Sequence, residues 1–352
     1  MPTADRADRG GPDRGGPRPP AVPPGGAGFA RRTDIDVDNR NAPGALRLAT
    51  RGSRLALAQS ELVAAALRRA WPGLAVELVT VVTDGDRRRD VATTALGGKG
   101  IFTRAVQQAV LEGRAELAVH SAKDLPAGQV PGLVLAAVPE RADPRDVLVG
   151  PPGCRGLDDL PEGARVGTGS PRRVALLRFL RPDLHVVGLR GNVDSRLGRV
   201  RDGELDAVVL AAAGLQRLRL GDRGVPLDPE TFTPAPGQGC LAVEARAEDT
   251  ATLGLLSAIT HRPSRVALRA ERAFLARLGG SCTLPAGALL TQGRGRLEMR
   301  GFLAGEDGKG LVREHLAGPL DEPEGLGAGL AGRLLASCGP EVRALIQASS
   351  AR

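Results

Sequence analysis

The chain has 352 residues, enough for roughly two or three domains, and no apolar run long enough to span a bilayer. Its net charge is +8, yet it holds no Tyr, one Trp and six Phe, and it has no long block of like charge. That composition argues against a nucleic-acid binder built on stacking platforms or a basic arm. Cys154, Cys240, Cys282 and Cys338 show no C-x-x-C or Cys/His ligand spacing, so neither a disulfide framework nor a zinc site is expected.

Residues 1–44 carry few large apolar side chains, cannot offset the entropy of ordering, and are expected to be a disordered extension. Seven Arg against six Asp leave this tail nearly neutral, and it contains no Ser, so neither a nucleic-acid arm nor a transit peptide is indicated. It also lacks the basic-then-apolar pattern of a secretory signal, and a cytoplasmic protein is expected. Order is expected from Ala45, where Ala45 to Thr50 read as a strand. Ser53 is the N-cap of a helix whose apolar positions Leu55, Ala58, Leu62, Ala65 and Ala66 keep helical spacing. Trp71-Pro-Gly closes that helix, and Val76 to Val82 form the next strand of a β-α-β unit. Thr83-Asp-Gly-Asp86 fits a turn better than a metal site. Gly97-Gly-Lys-Gly is not a phosphate loop, because Lys99 is followed by Gly100 and no hydroxyl stands ready for magnesium.

A helix from Thr103 to about Glu112 leads to Glu116-Leu-Ala-Val-His-Ser-Ala-Lys-Asp-Leu-Pro126. Leu117 to Val119 read as a short buried strand, so Ser121, Lys123 and Asp124 fall at its carboxyl end, where open α/β sheets place ligands. Lys123 and Asp124 can be a structural ion pair or an acid/base couple, and this stretch alone leaves both open. Only Lys99, Lys123 and Lys309 are lysines among the 48 Lys and Arg residues. Lysine is a compact charge whose proton affinity shifts readily, a property Arg cannot supply.

After a strand at 133–138, Glu140 to Asp146 read as a polar crossover into a second lobe. There a strand at 165–168 meets Gly169-Ser170-Pro171-Arg172-Arg173, with Ser170 as N-cap and Pro171 in the first turn of a helix. A strand at 184–189 ends in Arg190-Gly-Asn192, and a short helix at 193–201 carries Arg196. A strand at 206–211 precedes Arg217. Arg172, Arg173, Arg190, Arg196 and Arg217 thus recur at strand ends and helix starts, which favours a polycarboxylate or phosphate pocket. Phe232 to Gly239 is a second crossover, and 241–245 returns a strand to the first lobe. A third unit begins near His261, with a helix at 264–278, strands near 288–291 and 297–303, and helices near 326–336 and 341–348. Cys282 sits in a Gly-Gly-Ser loop where a sulfur can protrude, whereas Cys240 reads as a small core hydrophobe. The fold class expected is α/β, a two-lobed body around a hinged cleft with a small C-terminal α+β domain. Its boundaries are 45–140 with 240–260 for domain 1, 141–239 for domain 2 and 261–352 for domain 3.

Arg47-Leu-Ala-Thr-Arg-Gly-Ser53, Gly97-Gly-Lys-Gly, Val119-His-Ser-Ala-Lys-Asp124, Arg190-Gly-Asn-Val and Glu271-Arg…Gly280-Ser-Cys282 resemble porphobilinogen deaminase, also called hydroxymethylbilane synthase, collinearly from about residue 45. The resemblance implies three domains, the first two periplasmic-binding-protein-like lobes, and a transferase with a dipyrromethane cofactor joined by a thioether to Cys282; no metal is expected, since no ligand spacing appears. It implies head-to-tail condensation of four porphobilinogen molecules, with release of ammonia and of hydroxymethylbilane for tetrapyrrole (haem) biosynthesis. Lys123, Ser170, Arg172 and Arg173 would then hold the cofactor's carboxylates. Arg51, Ser53, Thr168, Arg190, Arg196 and Arg217 would hold incoming substrate, and Asp124 would be the catalytic acid. The partner expected is porphobilinogen alone, with no nucleic acid and no membrane, acting on a monomer. Departures from the family pattern are Gly280-Ser281 before the cysteine, Ala286 after Pro285, and Gly169 where a Ser is frequent. The rival reading is a non-catalytic two-lobed anion-binding protein, which has no use for Cys282.

Overall fold

The computed structural model of the chain describes residues 45–82, 103–280, 284–293 and 295–350. The 1–44 extension, the Thr83–Asp86 turn, the Gly97 loop and Cys282 lie outside the described residues.

Two five-stranded sheets share one pattern of strand order. The first joins β1 (Ala45–Arg51), β2 (Ala75–Val81), β3 (Leu117–Ser121), β4 (Leu133–Ala137) and β10 (Leu241–Arg246) in the order β2-β1-β3-β10-β4. β1 runs parallel to β2 and β3, whereas β10 is antiparallel to both β3 and β4. The second joins β5 (Asp146–Val149), β6 (Arg165–Thr168), β7 (His185–Gly188), β8 (Ala207–Ala211) and β9 (Val225–Pro226) in the order β7-β6-β8-β5-β9. In each, the lone reversed strand beside the parallel set arrives from the other lobe's side of the chain. The polypeptide therefore crosses between lobes twice, at 138–145 and 227–240, and the crossovers bond to each other through Ala142 N–H to Gly239 O.

The period-two alternation of strands supplies both faces of each sheet. In the first lobe Leu46, Leu48, Leu117 and Val119 pack against Val63 and Leu67 of α1 (Arg54–Ala70), while Ala49 and Ala118 meet Val106 and Val110 of α2 (Arg104–Leu111). In the second, Val166 and Val209 pack on Leu176 and Leu177 of α3 (Pro171–Leu180), and Val208 and Leu210 face α4 (Val193–Arg201). Helices α5 (Ala212–Arg217) and α6 (Thr250–Ser257) follow β8 and β10.

The third unit pairs α7 (Arg262–Arg277) and α8 (Pro323–Ser337) on a meander of β11 (Ala286–Gly293), β12 (Arg296–Leu303) and β13 (Val312–Gly318), with α9 (Pro340–Ser350) last. Phe274, Leu290, Met299, Leu330 and Leu334 fill its core. Helices α7 and α8 approach so closely that a Cβ on Gly327 would lie 2.0 Å from the Ala270 carbonyl oxygen, which only glycine permits. Glu271 of α7 is wholly buried and ties this unit to both crossovers. Its carboxylate accepts from Arg141 Nη1 at 2.6 Å, from Gly237 N–H at 2.6 Å and from Leu290 N–H at 2.9 Å.

Several elements differ from the sequence reading. Asp146 opens β5 rather than closing the crossover, because Val147, Leu148 and Val149 form a run too short to read alone. α5, α6 and β13 also emerge only in the structure. In β13 only Val312 and Leu316 are large and apolar, so packing on α8 rather than pattern defines that strand.

Candidate functional site

The cavity between the lobes is built from strand ends and helix starts. Arg51 ends β1, and Ser53 caps α1, its Oγ accepting from Ala56 N–H at 3.2 Å as its sequence position led one to expect. Lys123 and Asp124 lie in a 3-10 turn (Ala122–Asp124) directly after β3, and Pro126 prevents the turn from extending. From the second lobe come Arg173 in the first turn of α3, Arg196 in α4 and Arg217 at the end of α5. Together these residues line a cavity of about 290 Å³. Arg54 and Asp194 add to its wall, which carries a clear excess of cations.

Asp124 is exposed and shares the cavity wall with Arg196 of the other lobe, whose guanidinium is pushed down by burial and then by Arg173, against the opposing pull of the Asp124 carboxylate. Lys123 is half-buried, with Nζ 3.3 Å from Gln238 Oε1. Burial first, then the Arg173 guanidinium, pushes this ammonium down to about 8, against the opposing pull of Asp124 and Asp146. The native ammonium binds its proton less tightly than an unfolded lysine does. Lys123 therefore costs stability below pH about 8, and that cost fades as pH rises towards the free value of 10.5.

A carboxylate arriving beside this ammonium restores its affinity for the proton. Above pH 8 a carboxylate ligand should therefore bind with net proton uptake and weaken as pH rises. Calorimetry in two buffers of different ionisation enthalpy checks this at pH 8.5, and Lys123→Met should abolish the buffer dependence. Equal heats in both buffers for the unmodified protein would contradict it.

Behind the cavity sits a fully buried scaffold. Asp146 accepts from Arg172 Nη1 at 2.7 Å, from Arg173 Nη2 at 2.7 Å and from Gln238 Nε2 at 3.0 Å. Burial would push its carboxyl up, but the two guanidinium groups overcome this and hold it well below the usual carboxylate range. Gln238 thus links Lys123 of one lobe to the arginine pair of the other. Both arginines are buried, but Arg173 borders the cavity, while Arg172 turns to the hinge and donates to Thr233 O at 2.8 Å. Arg217 donates to Gly239 O at 2.7 Å, and burial lowers its guanidinium to about 10.

The structure does not bring every expected residue to the cavity. Thr168 is buried at the end of β6, where its Oγ1 accepts from Ser170 N–H at 3.3 Å. Ser170 stands at the N-cap position without a side-chain cap bond. Arg190 is exposed just past β7 and is not part of the wall. Gly169 has a steric reason, because a Cβ there would lie 2.5 Å from the Leu189 carbonyl oxygen. Cys282 is outside the described residues, but Gly280 is placed, and a Cβ on it would be 3.3 Å from that of Ala127, three residues beyond Asp124. Cys240 is buried and its thiol is pushed up to about 12 by desolvation, as a core hydrophobe's would be.

Sequence reasoning missed Asp146 and Gln238, the scaffold, and Arg54 and Asp194 on the wall. Asp146 stood in an apparent polar linker, and no local spacing signals a bond from residue 146 to residues 172, 173 and 238. Among the described residues no cluster of ligand-type side chains could hold a metal, and no helix is long and apolar enough to cross a membrane.

Comparison with known proteins adds to this geometry. Residues 46–254 match the family model described as "Porphobilinogen deaminase, dipyromethane cofactor binding domain". Residues 266–336 match "Porphobilinogen deaminase, C-terminal domain". A protein named porphobilinogen deaminase from Roseiflexus sp. (strain RS-1) is 50% identical over 291 residues, covering 82% of this chain and 95% of that relative. One of the same name from Roseiflexus castenholzii is 48% identical over 291 residues, covering 82% of this chain and 95% of that protein. A looser likeness covers 61% of this chain and 66% of a putative periplasmic sulfonate-binding protein from Methylobacillus flagellatus, at 17% identity and a TM-score of 0.37.

Proposed function

The chain belongs to the porphobilinogen deaminase family, and from that premise we propose which of its residues perform the family's reaction. That reaction is a transferase reaction. Four porphobilinogen molecules are joined head to tail onto a dipyrromethane cofactor, ammonia leaves at each addition, and hydroxymethylbilane is released for tetrapyrrole biosynthesis. A non-catalytic anion-binding role is not favoured.

The observation that supports the assignment best is the sharing of one cavity by the Asp124 carboxylate and cations from both lobes. Each pyrrole of substrate and cofactor bears two carboxylates, so this donor set fits the group the family carries. Forked guanidinium pairing supplies charge and orientation together. Bound there, the cofactor supplies the nucleophilic ring position on which the chain grows. Lys123 and Arg173 hold its carboxylates, with Ser170 and Arg172 assigned to the same set by motif; Arg172 acts through Asp146, which it shares with Arg173. Arg51, Ser53, Arg196 and Arg217 hold the incoming substrate, and Thr168 and Arg190 join them by motif. Cys282 is the tether, a role supported by its motif and by the position of Gly280 beside Ala127, three residues beyond Asp124.

Asp124 performs the proton work. As ammonia leaves the substrate's aminomethyl group, positive charge develops on that ring, and a carboxylate at the cavity wall stabilises it electrostatically. The same carboxylate accepts the proton lost from the ring position that has been attacked. The division into 45–140 with 240–260, 141–239 and 261–352 follows the sheets and places the tether in the third domain. Cys154, Cys240 and Cys338 are free thiols, consistent with a reducing cytoplasm.

The direct test is to supply porphobilinogen and follow both products. One ammonia should be released for each porphobilinogen consumed, and the product should contain four pyrrole rings. Retention of porphobilinogen without ammonia release would instead favour the binding-protein reading.

A further inference from the structure

The cavity wall contains a charge pair that the reading above does not use. Arg54 Nη1 lies 2.8 Å from Asp194 Oδ1. Arg54 is the first residue of α1 in the first lobe, and Asp194 is in the first turn of α4 in the second, so the bond spans the lobes. Both side chains line the cavity, at 61% and 49% exposure, beside Arg51 and Ser53 on one side and Asn192 and Arg196 on the other. We propose that Arg54 is a further carboxylate-binding residue for the incoming substrate and growing chain, held in reserve by Asp194, which yields it when a substrate carboxylate enters. The proposal rests on the functional reading given above.

Three observations carry it. At about 290 Å³ the cavity is at the small end for a single ligand, where sites of roughly 300–1,000 Å³ are usual, yet four more rings must be accommodated. Parting of the lobes would make that room as the chain lengthens, and it would break a bond that joins them. The pair is also exposed, and exposed guanidinium–carboxylate pairs are weak enough for another carboxylate to displace. Finally, the only change needed is an exchange of partners. Arg54 trades the Asp194 carboxylate for a substrate carboxylate, and Asp194 passes to solvent at the cavity mouth. No proton or covalent bond moves.

This exchange gives the two members of the pair opposite effects on substrate binding. Removing Arg54 deletes a binding cation and leaves an unpaired carboxylate repelling an anionic substrate. Removing the charge of Asp194 frees Arg54 for that substrate. A purely structural strap predicts the same effect from both, because either change breaks one bond.

The test measures KM for porphobilinogen in the holoenzyme and in its Arg54→Ala and Asp194→Asn variants. The chain-length distribution is read in parallel by intact mass after limited substrate addition. Arg54→Ala should raise KM and Asp194→Asn should lower it, each by roughly two- to fivefold, the range a single exposed ion pair spans. Asp194→Asn should also shift the intermediates towards longer chains. KM values that move in the same direction, or do not move, would overturn the proposal and leave the functional reading standing. An unmodified protein that consumes no porphobilinogen would overturn both.

Discussion

Asp124→Asn should lose at least about 100-fold in kcat, since a positioned proton-transfer group contributes roughly 10²–10⁴-fold and the amide cannot accept the proton. The substitution preserves shape and removes one charge. Asp124 is exposed at the end of a 3-10 turn, so the fold should survive, with a melting temperature close to that of the unmodified protein. Its neighbours make the result specific. The carboxylate shares the cavity wall with Arg196 and directly follows Lys123 in the chain, so its removal makes the cavity more cationic. Binding of the substrate's carboxylates should hold or tighten while turnover collapses. Such a split between KM and kcat marks a group that acts on the reacting atoms rather than on binding. Full activity in this variant would remove Asp124 from the chemistry, whatever else in the cavity stood.

The sequence announces those parts of the site that depend on neighbouring residues. Ser53 before an amphipathic helix, Pro171 at a helix start, and Lys123-Asp124 after a buried strand are local patterns, and each is found where the pattern puts it. The two lobes were legible for the same reason, since alternating strands and helices leave few topologies. What stayed hidden depends on pairing across long stretches of chain. Asp146 looked like linker, yet it is the buried carboxylate against which Arg172 and Arg173 are set. Gln238 lies in a Pro-Gly-Gln-Gly turn and gives no hint that its amide joins Lys123 to Asp146. Arg54 and Asp194 are 140 positions apart and meet only because α1 and α4 both begin at the cavity. The arginine motif at 172–173 was visible, but not the division of labour within it. Both are buried, but Arg172 bonds to Thr233 O at the hinge while Arg173 borders the cavity, a distinction carried by tertiary packing alone.

Cys282→Ser should abolish cofactor attachment and, with it, all chain growth. A thioether needs a sulfur nucleophile, and a serine hydroxyl at neutral pH is a far weaker one than a thiol with some thiolate character. The other cysteines cannot substitute from where they stand. Cys240 borders the cavity but is only 1% exposed, and desolvation holds its thiol in the neutral form, while Cys338 is 3% exposed and away from the cavity wall. Cys154 packs against the second lobe's core, with Sγ donating to Gly156 O, and it is not part of the cavity wall. The variant should therefore fold, bind porphobilinogen weakly through its arginines and release no ammonia.

Intact mass spectrometry of the purified protein, with the modified peptide mapped after digestion, tests the tethered-primer account most directly. The unmodified chain should exceed its sequence mass by one dipyrromethane, located on the peptide containing Cys282, and Cys282→Ser should show the bare sequence mass. A bare mass for an unmodified protein that turns over porphobilinogen, or an adduct mapped to Cys154, Cys240 or Cys338, would contradict it.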